Sequence, residues 1–265
     1  MKKAIISVVI IIILIGVSQW AFTKWFAAKD TNTTINPIGH RGDVTRALEN
    51  TIPAMREAKK AGANTMELDI MMTKDHRFVV IHDHNLTRLA GVDKEVSELT
   101  YDEIKKLTIQ DDIFRGHIAL LSDFIDEAKR LDMKLIIELK PQGTEPKSYM
   151  KQLAHLLHEK NVDHMYQVMS INYSAIKAFK QQAPHIETGL IVLSNYQTYD
   201  LSKLDFLVFH HFSYDKLSVN EAIAQGKDVY LWTMRGVIDV QAYRNAPIKG
   251  MITDHIDAVI QEKAH

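Results

Sequence analysis

Strand-like and helix-like segments alternate along this chain from residue 35 onward, and this alternation limits the possible folds more than any other feature. The apolar runs with the length of buried strands are Ile35–His40, Thr65–Thr73, Phe78–His82, Lys134–Lys140, Met165–Ser170, Thr188–Leu193, Asp205–His210, Asp228–Thr233 and Met251–Thr253. Amphipathic runs with helical spacing lie between most of them, at Ile52–Ala61, Ser122–Leu131, Lys147–Glu159, Tyr173–Gln182, Val219–Gln225 and Val237–Arg244. The pattern predicts parallel strands joined by crossover helices.

The second and third strand-like runs require a different connection. Only residues 74–77 separate them, which is too short for a parallel crossover, so we expect Phe78–His82 to fold back as a hairpin arm. Eight strands then remain, and the predicted fold class is α/β, a (β/α)8 TIM barrel with this arm after its second strand. A doubly wound open sheet is the alternative, although neither G-x-G-x-x-G nor a phosphate-loop motif follows any predicted strand.

Two carboxylates interrupt the otherwise apolar second strand. Glu67 and Asp69 are two residues apart, so in a strand both side chains project from the same face. Glu138 lies at the end of the run that supplies the third barrel strand, and catalytic groups of barrels cluster at the carboxyl ends of strands. Three oxygen donors suit Ca²⁺ or Mg²⁺ better than Zn²⁺, so we predict one divalent cation here. A surface strand with salt bridges is the alternative interpretation.

Cationic and titratable side chains occupy the same strand ends. Arg41 offers a planar fork that matches phosphate oxygens, and Lys140 is a compact charge able to reach the same anion. His40 and His82 titrate near neutrality, so one can accept a proton while the other donates one. Together with a cation, this set indicates displacement at a phosphodiester. For the two histidines, hydrogen bonding in support of other groups is the alternative.

The N-terminal segment differs from the rest of the chain. Lys2 and Lys3 precede a mostly apolar stretch from Ala4 to Phe22, close to the length that spans a bilayer. We predict a transmembrane anchor over residues 1–28, a polar tether over residues 29–36 and a barrel domain over residues 37–265. The basic start favours a cytoplasmic N-terminus and an extracellular catalytic domain at the cell membrane. A cleaved signal peptide, giving a secreted protein, is the alternative.

Composition excludes several classes of protein. Lys and Arg total 32 against 33 acidic residues, which argues against a nucleic-acid-coating surface. The absence of cysteine excludes disulfides, thiolate metal sites and a thiol nucleophile.

The motifs, in order, resemble those of the glycerophosphodiester phosphodiesterase family. They are His40-Arg41-Gly42, Glu49-Asn50-Thr51, Glu67-Leu68-Asp69, Thr73-Lys74-Asp75, His82-Asp83, Glu138-Leu139-Lys140, Leu231-Trp232-Thr233 and Thr253-Asp254. The resemblance implies a barrel that hydrolyses glycerophosphodiesters to sn-glycerol 3-phosphate and an alcohol. It implies His40 and His82 as the acid/base pair, Arg41 and Lys140 as phosphate contacts, and Glu49 and Trp232 as groups lining the cleft. It also implies that Glu67, Asp69 and Glu138 ligate the divalent cation.

Two other functions remain open at this point. A lysophospholipase D would apply the same chemistry to lysolipids, and an apolar groove beside Trp232 would support it. A membrane-anchored protein that binds glycerophosphate without turnover is the other, although ligand capture needs neither His40 nor His82. The sequence does not predict the oligomeric state.

Overall fold

The computed structural model describes residues 35–193 and 196–263. The strands are β1 (Asn36–His40), β2 (Thr65–Met72), β3 (Phe78–Val80), β4 (Ile109–Gln110), β5 (Arg115–Gly116), β6 (Lys134–Leu139), β7 (Gln167–Ser170), β8 (Glu187–Val192), β9 (Phe206–His210), β10 (Asp228–Met234) and β11 (Gly250–Thr253). The helices are α1 (Ile52–Lys60), α2 (Thr87–Ala90), α3 (Tyr101–Ile104), α4 (Leu121–Arg130), α5 (Tyr149–Glu159), α6 (Tyr173–Gln182), α7 (Lys216–Ala224), α8 (Val237–Tyr243) and α9 (Ile256–Lys263).

Eight parallel strands close into a barrel. They follow the order β1-β2-β6-β7-β8-β9-β10-β11, and β1 closes the ring because it pairs with β2 on one side and β11 on the other. The predicted barrel is therefore confirmed, and the alternative of an open sheet is excluded. In such a barrel the carboxyl ends of all eight strands lie at one face, which brings residues distant in sequence together.

The predicted hairpin arm is also present. β3 pairs antiparallel with β2 through Ile70 and Val80, and His76 turns the chain in the left-handed region with φ of 60°. The observed strand is shorter than predicted and ends at Val80. Ile81 still donates a backbone hydrogen bond to the Asp69 carbonyl, and this bond carries the following His82 toward β2.

Residues 83–120 form a small layer that the sequence did not predict. α2, α3 and the β4–β5 ribbon bury an apolar cluster of their own, which includes Leu48, Met71, Val79, Ile81, Leu86, Leu89, Val96, Ile104, Ile109 and Ile118. Met71 and Val79 belong to β2 and β3, so this layer packs on the hairpin arm. It lies next to the strand ends that carry the candidate catalytic groups.

The barrel interior is packed rather than hollow. Its side chains form one buried cluster of Ile38, Ile136, Met169, Ile191, Phe206, Val208, Tyr230 and Ile252, with Trp232 packed against it. Gly189 on β8 leaves room for the Phe206 ring, because a Cβ there would lie 2.1 Å from Phe206 Cε2. A larger buried cluster joins the outer face of the barrel strands, including Leu68 and Ile137, to the surrounding helices.

The predicted anchor at residues 1–28 lies outside the described residues, as does all of the tether except Ile35 and Asn36. Ile35 is buried, and Asn36 begins β1. Within residues 35–193 and 196–263, no helix combines the length and the apolar composition that crossing a bilayer requires.

Candidate active site

Three carboxylates meet at the carboxyl end of the barrel. Glu67 and Asp69 project from the same face of β2, and Asp69 stands opposite Glu138 in the parallel register of β2 and β6. All three side chains are buried, and one ligand oxygen from each lies within 4.8 Å of the others. The structure therefore brings together the three residues that the sequence suggested as metal ligands.

Two cations flank this cluster. Lys140 Nζ lies 3.0 Å from Glu138 Oε1 and 3.3 Å from Asp69 Oδ1. Arg41 places Nε 3.3 Å from Asp69 Oδ2, and its backbone N–H donates a hydrogen bond of 3.2 Å to Glu67 Oε2. Arg41 Nε is nevertheless buried without a hydrogen-bond partner among the described residues. Arg41 Nε thus faces Asp69 as an ionic contact without hydrogen-bond geometry.

Asn50 orients the central carboxylate, a role that the sequence did not reveal. Its Nδ2 donates to Asp69 Oδ2 at 2.8 Å, and its Oδ1 accepts from the Asp69 backbone N–H at 3.3 Å. The N-terminal cap of α1 is the neighbouring Thr51, whose hydroxyl accepts a hydrogen bond from the backbone N–H of Ala54. Asn50 instead adopts φ of 54°, a left-handed conformation that asparagine tolerates well.

Burial and mutual repulsion separate the proton affinities of the three acids. Burial, then the charges of Asp69 and Glu138, raise the pKa of Glu67 well above its ordinary value. Burial and the charge of Asp69 likewise raise the pKa of Glu138 to about 7. Burial alone would raise the pKa of Asp69, but attraction to Arg41 and Lys140 outweighs it and lowers that pKa to about 2. Two cationic side chains therefore do not neutralise the cluster, as expected where a divalent cation completes the charge balance.

Both predicted histidines are oriented by an aspartate. His40 ends β1, and its Nδ1 lies 2.6 Å from Asp254 Oδ1, beyond the end of β11. His82 follows β3, and its Nδ1 lies 2.7 Å from Asp83 Oδ1. Each aspartate favours the tautomer with the proton on Nδ1, which leaves Nε2 for proton transfer. Burial lowers the pKa of His82, and nearby Arg41 and Lys140 lower it further against attraction from Asp69.

An ionic chain connects the two halves of the site. Arg88 in α2 donates two hydrogen bonds to Glu49, at 2.7 and 2.9 Å, and a third to Asp83 through Nε. Glu49 also accepts from Arg41 Nη1 at 3.0 Å. Arg88 thus links the partner of His82 to the partner of Arg41. The sequence analysis missed Arg88 because it lies in a four-residue helix with no recognisable periodicity.

Trp232 lies at the rim, between His40 and a more exposed aromatic group. Its ring meets His40 edge-on at 6.3 Å and His210 edge-on at 5.2 Å, measured between ring centroids. His210 in turn lies 5.2 Å from Phe212, whose side chain is 85% exposed. His210 therefore packs against Trp232 at this rim.

Residues 40–258 match the model of the glycerophosphoryl diester phosphodiesterase family. The chain belongs to this family. It is 28% identical over 231 residues to a glycerophosphodiester phosphodiesterase of Caldanaerobacter subterraneus subsp. tengcongensis, covering 84% of this chain and 95% of the relative. The prediction that the chain is a phosphodiesterase is therefore confirmed. A segment of 67 residues is 46% identical to a human lysophospholipase D, which corresponds to 25% of this chain and 21% of that protein.

Solved structures share the barrel. A phosphodiesterase from Oleispira antarctica, solved in complex with the product sn-glycerol-3-phosphate, superposes with a TM-score of 0.79 at 22% identity and covers 89% of this chain and 99% of its own. A glycerophosphodiester phosphodiesterase from Parabacteroides distasonis has a TM-score of 0.76 at 20% identity and covers 88% of this chain and 98% of its own. At these identities the superpositions establish the shared fold.

Proposed function

We propose that this chain hydrolyses glycerophosphodiesters to sn-glycerol 3-phosphate and an alcohol, with one divalent cation held by Glu67, Asp69 and Glu138. The observation that carries the proposal is the convergence of these three buried carboxylates between two aspartate-paired imidazoles. Family membership and the sn-glycerol-3-phosphate bound to the Oleispira antarctica phosphodiesterase support the substrate class.

The donor set fits a hard cation. Three carboxylates supply oxygen ligands only, and no imidazole nitrogen joins them in the described part of the chain, so Ca²⁺ or Mg²⁺ is favoured over Zn²⁺. The raised pKa values of Glu67 and Glu138 indicate how strongly the cluster favours added positive charge. When bound, the ion would polarise the phosphoryl oxygen.

Arg41 and Lys140 would hold the phosphate. Both are largely buried, and both lie beside the carboxylates rather than in solution. The guanidinium of Arg41 has the planar donor geometry that matches phosphate oxygens, and Glu49 holds it through Nη1. We propose that Glu49 lines the cleft mainly by positioning Arg41, and that Trp232 forms an apolar wall beside His40.

The two imidazoles would perform the proton transfers. The lowered pKa keeps His82 neutral at neutral pH, so we assign it as the acceptor of a proton from the attacking water. As the phosphorus–oxygen bond to the alcohol breaks, His40 would donate a proton to the departing oxygen. Asp254 orients His40 through Nδ1, which leaves Nε2 to face the departing oxygen.

Release of glycerol 3-phosphate from glycerophosphocholine by the purified full-length chain tests this assignment. We expect His40→Ala and His82→Ala each to reduce kcat by about 10²–10⁴, the usual contribution of general acid–base catalysis. His84→Ala is the matched control, because His84 is exposed and two residues from His82. Activity of His40→Ala and His82→Ala equal to that of His84→Ala would refute the proposal.

A lysophospholipase D activity is the second candidate. Phe212 and Ile238, which are 85% and 82% exposed, lie just beyond the carboxyl ends of β9 and β10, and Trp232 and His210 connect this rim to His40. An acyl chain would find apolar contacts there. The test is release of choline from lysophosphatidylcholine. If Phe212→Ser and Ile238→Ser reduce this release but leave hydrolysis of glycerophosphocholine unchanged, the result supports this candidate. Equal effects on both substrates would exclude it.

We propose further that residues 1–28 anchor the enzyme in the cell membrane with the barrel outside. The basic residues Lys2 and Lys3 before the apolar stretch support this orientation. Protease added to intact cells should degrade the barrel while a cytoplasmic marker protein survives. Full protection of the barrel until the cells are lysed would contradict the orientation, and recovery of the barrel in the medium would indicate cleavage.

A further inference from the structure

Three imidazoles surround one carboxylate at the end of the barrel opposite the active site. Asp163 and His164 lie in the connection between α5 and β7, His158 is in the last turn of α5, and His185 precedes β8. The histidines of residues 155–164 have no part in the phosphodiesterase site, and the sequence analysis assigned them no role. These four residues, Asp163, His158, His164 and His185, are called the basal cluster below.

All three imidazoles of the basal cluster contact the same carboxylate. His158 Nδ1 lies 2.8 Å and His185 Nε2 3.1 Å from Asp163 Oδ2, and His164 Nδ1 lies 3.4 Å from Asp163 Oδ1. Three ring nitrogens therefore converge on one carboxylate.

Each imidazole of the basal cluster lies about as far from Asp163 as two ligands of one small metal ion lie from each other. Zn²⁺ binds imidazole nitrogen and carboxylate oxygen at about 2.0–2.2 Å, which sets neighbouring ligand atoms of a tetrahedral site about 3.3 Å apart. The three nitrogen–oxygen distances of the basal cluster lie close to that value. A donor set of three imidazoles and one carboxylate suits Zn²⁺, Ni²⁺ or Cu²⁺ and disfavours Ca²⁺ and Mg²⁺.

The side chains can adjust to an ion. Among the residues described, three ligand atoms lie within 4.8 Å of one another at the active-site carboxylates but not at the basal cluster. The imidazoles of the basal cluster must therefore turn before they can ligate the same ion. The side chains of His158, His164 and His185 are 75%, 69% and 59% exposed, which leaves them free to rotate. A cavity of about 340 Å³ is lined in part by Asp163, His164 and His185. An ion can therefore reach the cluster from this cavity as well as from the exposed side of the imidazoles.

We propose that the basal cluster binds one transition-metal ion of the Zn²⁺ type, distinct in position and chemistry from the hard cation at the active site. Each imidazole would bind the ion through the ring nitrogen that now faces Asp163. The ion joins the segments that lead into β7 and β8 and therefore stabilises the amino-terminal end of the barrel. This inference does not depend on the proposed phosphodiesterase mechanism.

Isothermal titration of ZnCl₂ into the untagged full-length chain, in buffer saturated with Mg²⁺, tests the proposal. We expect one Zn²⁺ per chain at pH 7.5, and a loss of affinity of more than about tenfold in His164→Ala/His185→Ala. The control is His117→Ala/His155→Ala, which removes two exposed histidines outside the basal cluster and should leave the affinity unchanged. Thermal denaturation should show a rise in Tm with Zn²⁺ for wild type and control only.

Two results would overturn the inference. The first is wild-type protein that binds no Zn²⁺ at a concentration of about 0.1 mM, roughly a hundred times a micromolar Kd. The second is Zn²⁺ binding of equal affinity in both double variants, which would place the ion at the active-site carboxylates or elsewhere. Circular dichroism serves as the control for folding. We expect each variant to be folded, because the substituted side chains are exposed.

Discussion

At the residue scale, the candidate site depends on how each proposed catalytic group is held. His40 and His82 come from different strand ends, yet both pair through Nδ1 with an aspartate. The sequence showed Asp83 and Asp254 as parts of motifs but gave no sign that they pair with imidazoles, because the contact between Asp254 and His40 spans 214 positions. The role of Asn50 was missed for a similar reason, since its contact with Asp69 spans 19 positions.

Asp254→Asn should reduce kcat with little effect on stability. An amide can donate to His40 and so favour the wrong tautomer, which lowers kcat by about 10²–10⁴ in comparable pairs. Steady-state kinetics on glycerophosphocholine measure the effect. Asp257→Asn, at an exposed position three residues away, is the control. Wild-type kcat in Asp254→Asn would show that the pair with His40 does not contribute to catalysis.

Arg88→Gln should reduce kcat by about tenfold or more, although Arg88 itself does not touch the carboxylate cluster. The change removes the donors that hold both Asp83 and Glu49, so His82 and Arg41 lose their orientation. Arg88→Lys should recover little activity, since an ammonium cannot reproduce the bidentate contact with Glu49. Arg88→Lys with wild-type kcat would argue against this positioning role.

Metal affinity should depend on pH through Glu138. Because its pKa in the folded protein is about 7, above the ordinary value, the ion must displace a proton at lower pH. Affinity for Ca²⁺ or Mg²⁺ should fall by about tenfold per pH unit below pH 7 and level off above it. The metal-free protein should behave in the opposite way, losing stability as pH rises from about 4.5 to 7. Titration calorimetry and thermal denaturation check both trends. Glu138→Gln should weaken the stability trend and leave the contribution of Glu67, whose pKa is also raised.

At the element scale, regular segments were predictable and short ones were not. The eight barrel strands and the hairpin arm follow from apolar runs and from the four-residue gap before β3. α2, α3 and the β4–β5 ribbon have two to four residues each, too few to show a period, and their stability comes from the buried cluster they share. α9 was also missed, although it packs Ile256 and Val259 into the main core.

Gly189→Ala should destabilise the barrel by about 1–3 kcal/mol through overpacking. The added Cβ would lie within 2.5 Å of three carbon atoms of the Phe206 ring, which the interior cluster confines. Urea unfolding monitored by circular dichroism measures the loss. Adding Phe206→Leu should recover part of it by removing the obstructing ring, and an additive double variant would contradict the packing explanation.

At the scale of the whole molecule, the barrel separates two regions of different chemistry. Oxygen ligands and cations gather at the carboxyl ends of the strands, and the imidazoles of the basal cluster gather at the opposite end. The sequence predicted the first region because parallel barrel strands place Glu67, Asp69 and Glu138 at one face regardless of the loop conformations. It did not predict the second, since the contact between His185 and Asp163 spans 22 positions and forms only in the folded barrel.

The most direct test of the central claim is to titrate Ca²⁺ or Mg²⁺ into chelator-treated enzyme while release of glycerol 3-phosphate is followed. We predict that activity is lost on chelation, returns with one ion per chain, and does not return in Glu67→Gln or Glu138→Gln. Full activity in excess chelator, or equal recovery in those two variants, would contradict a cation held by the three carboxylates.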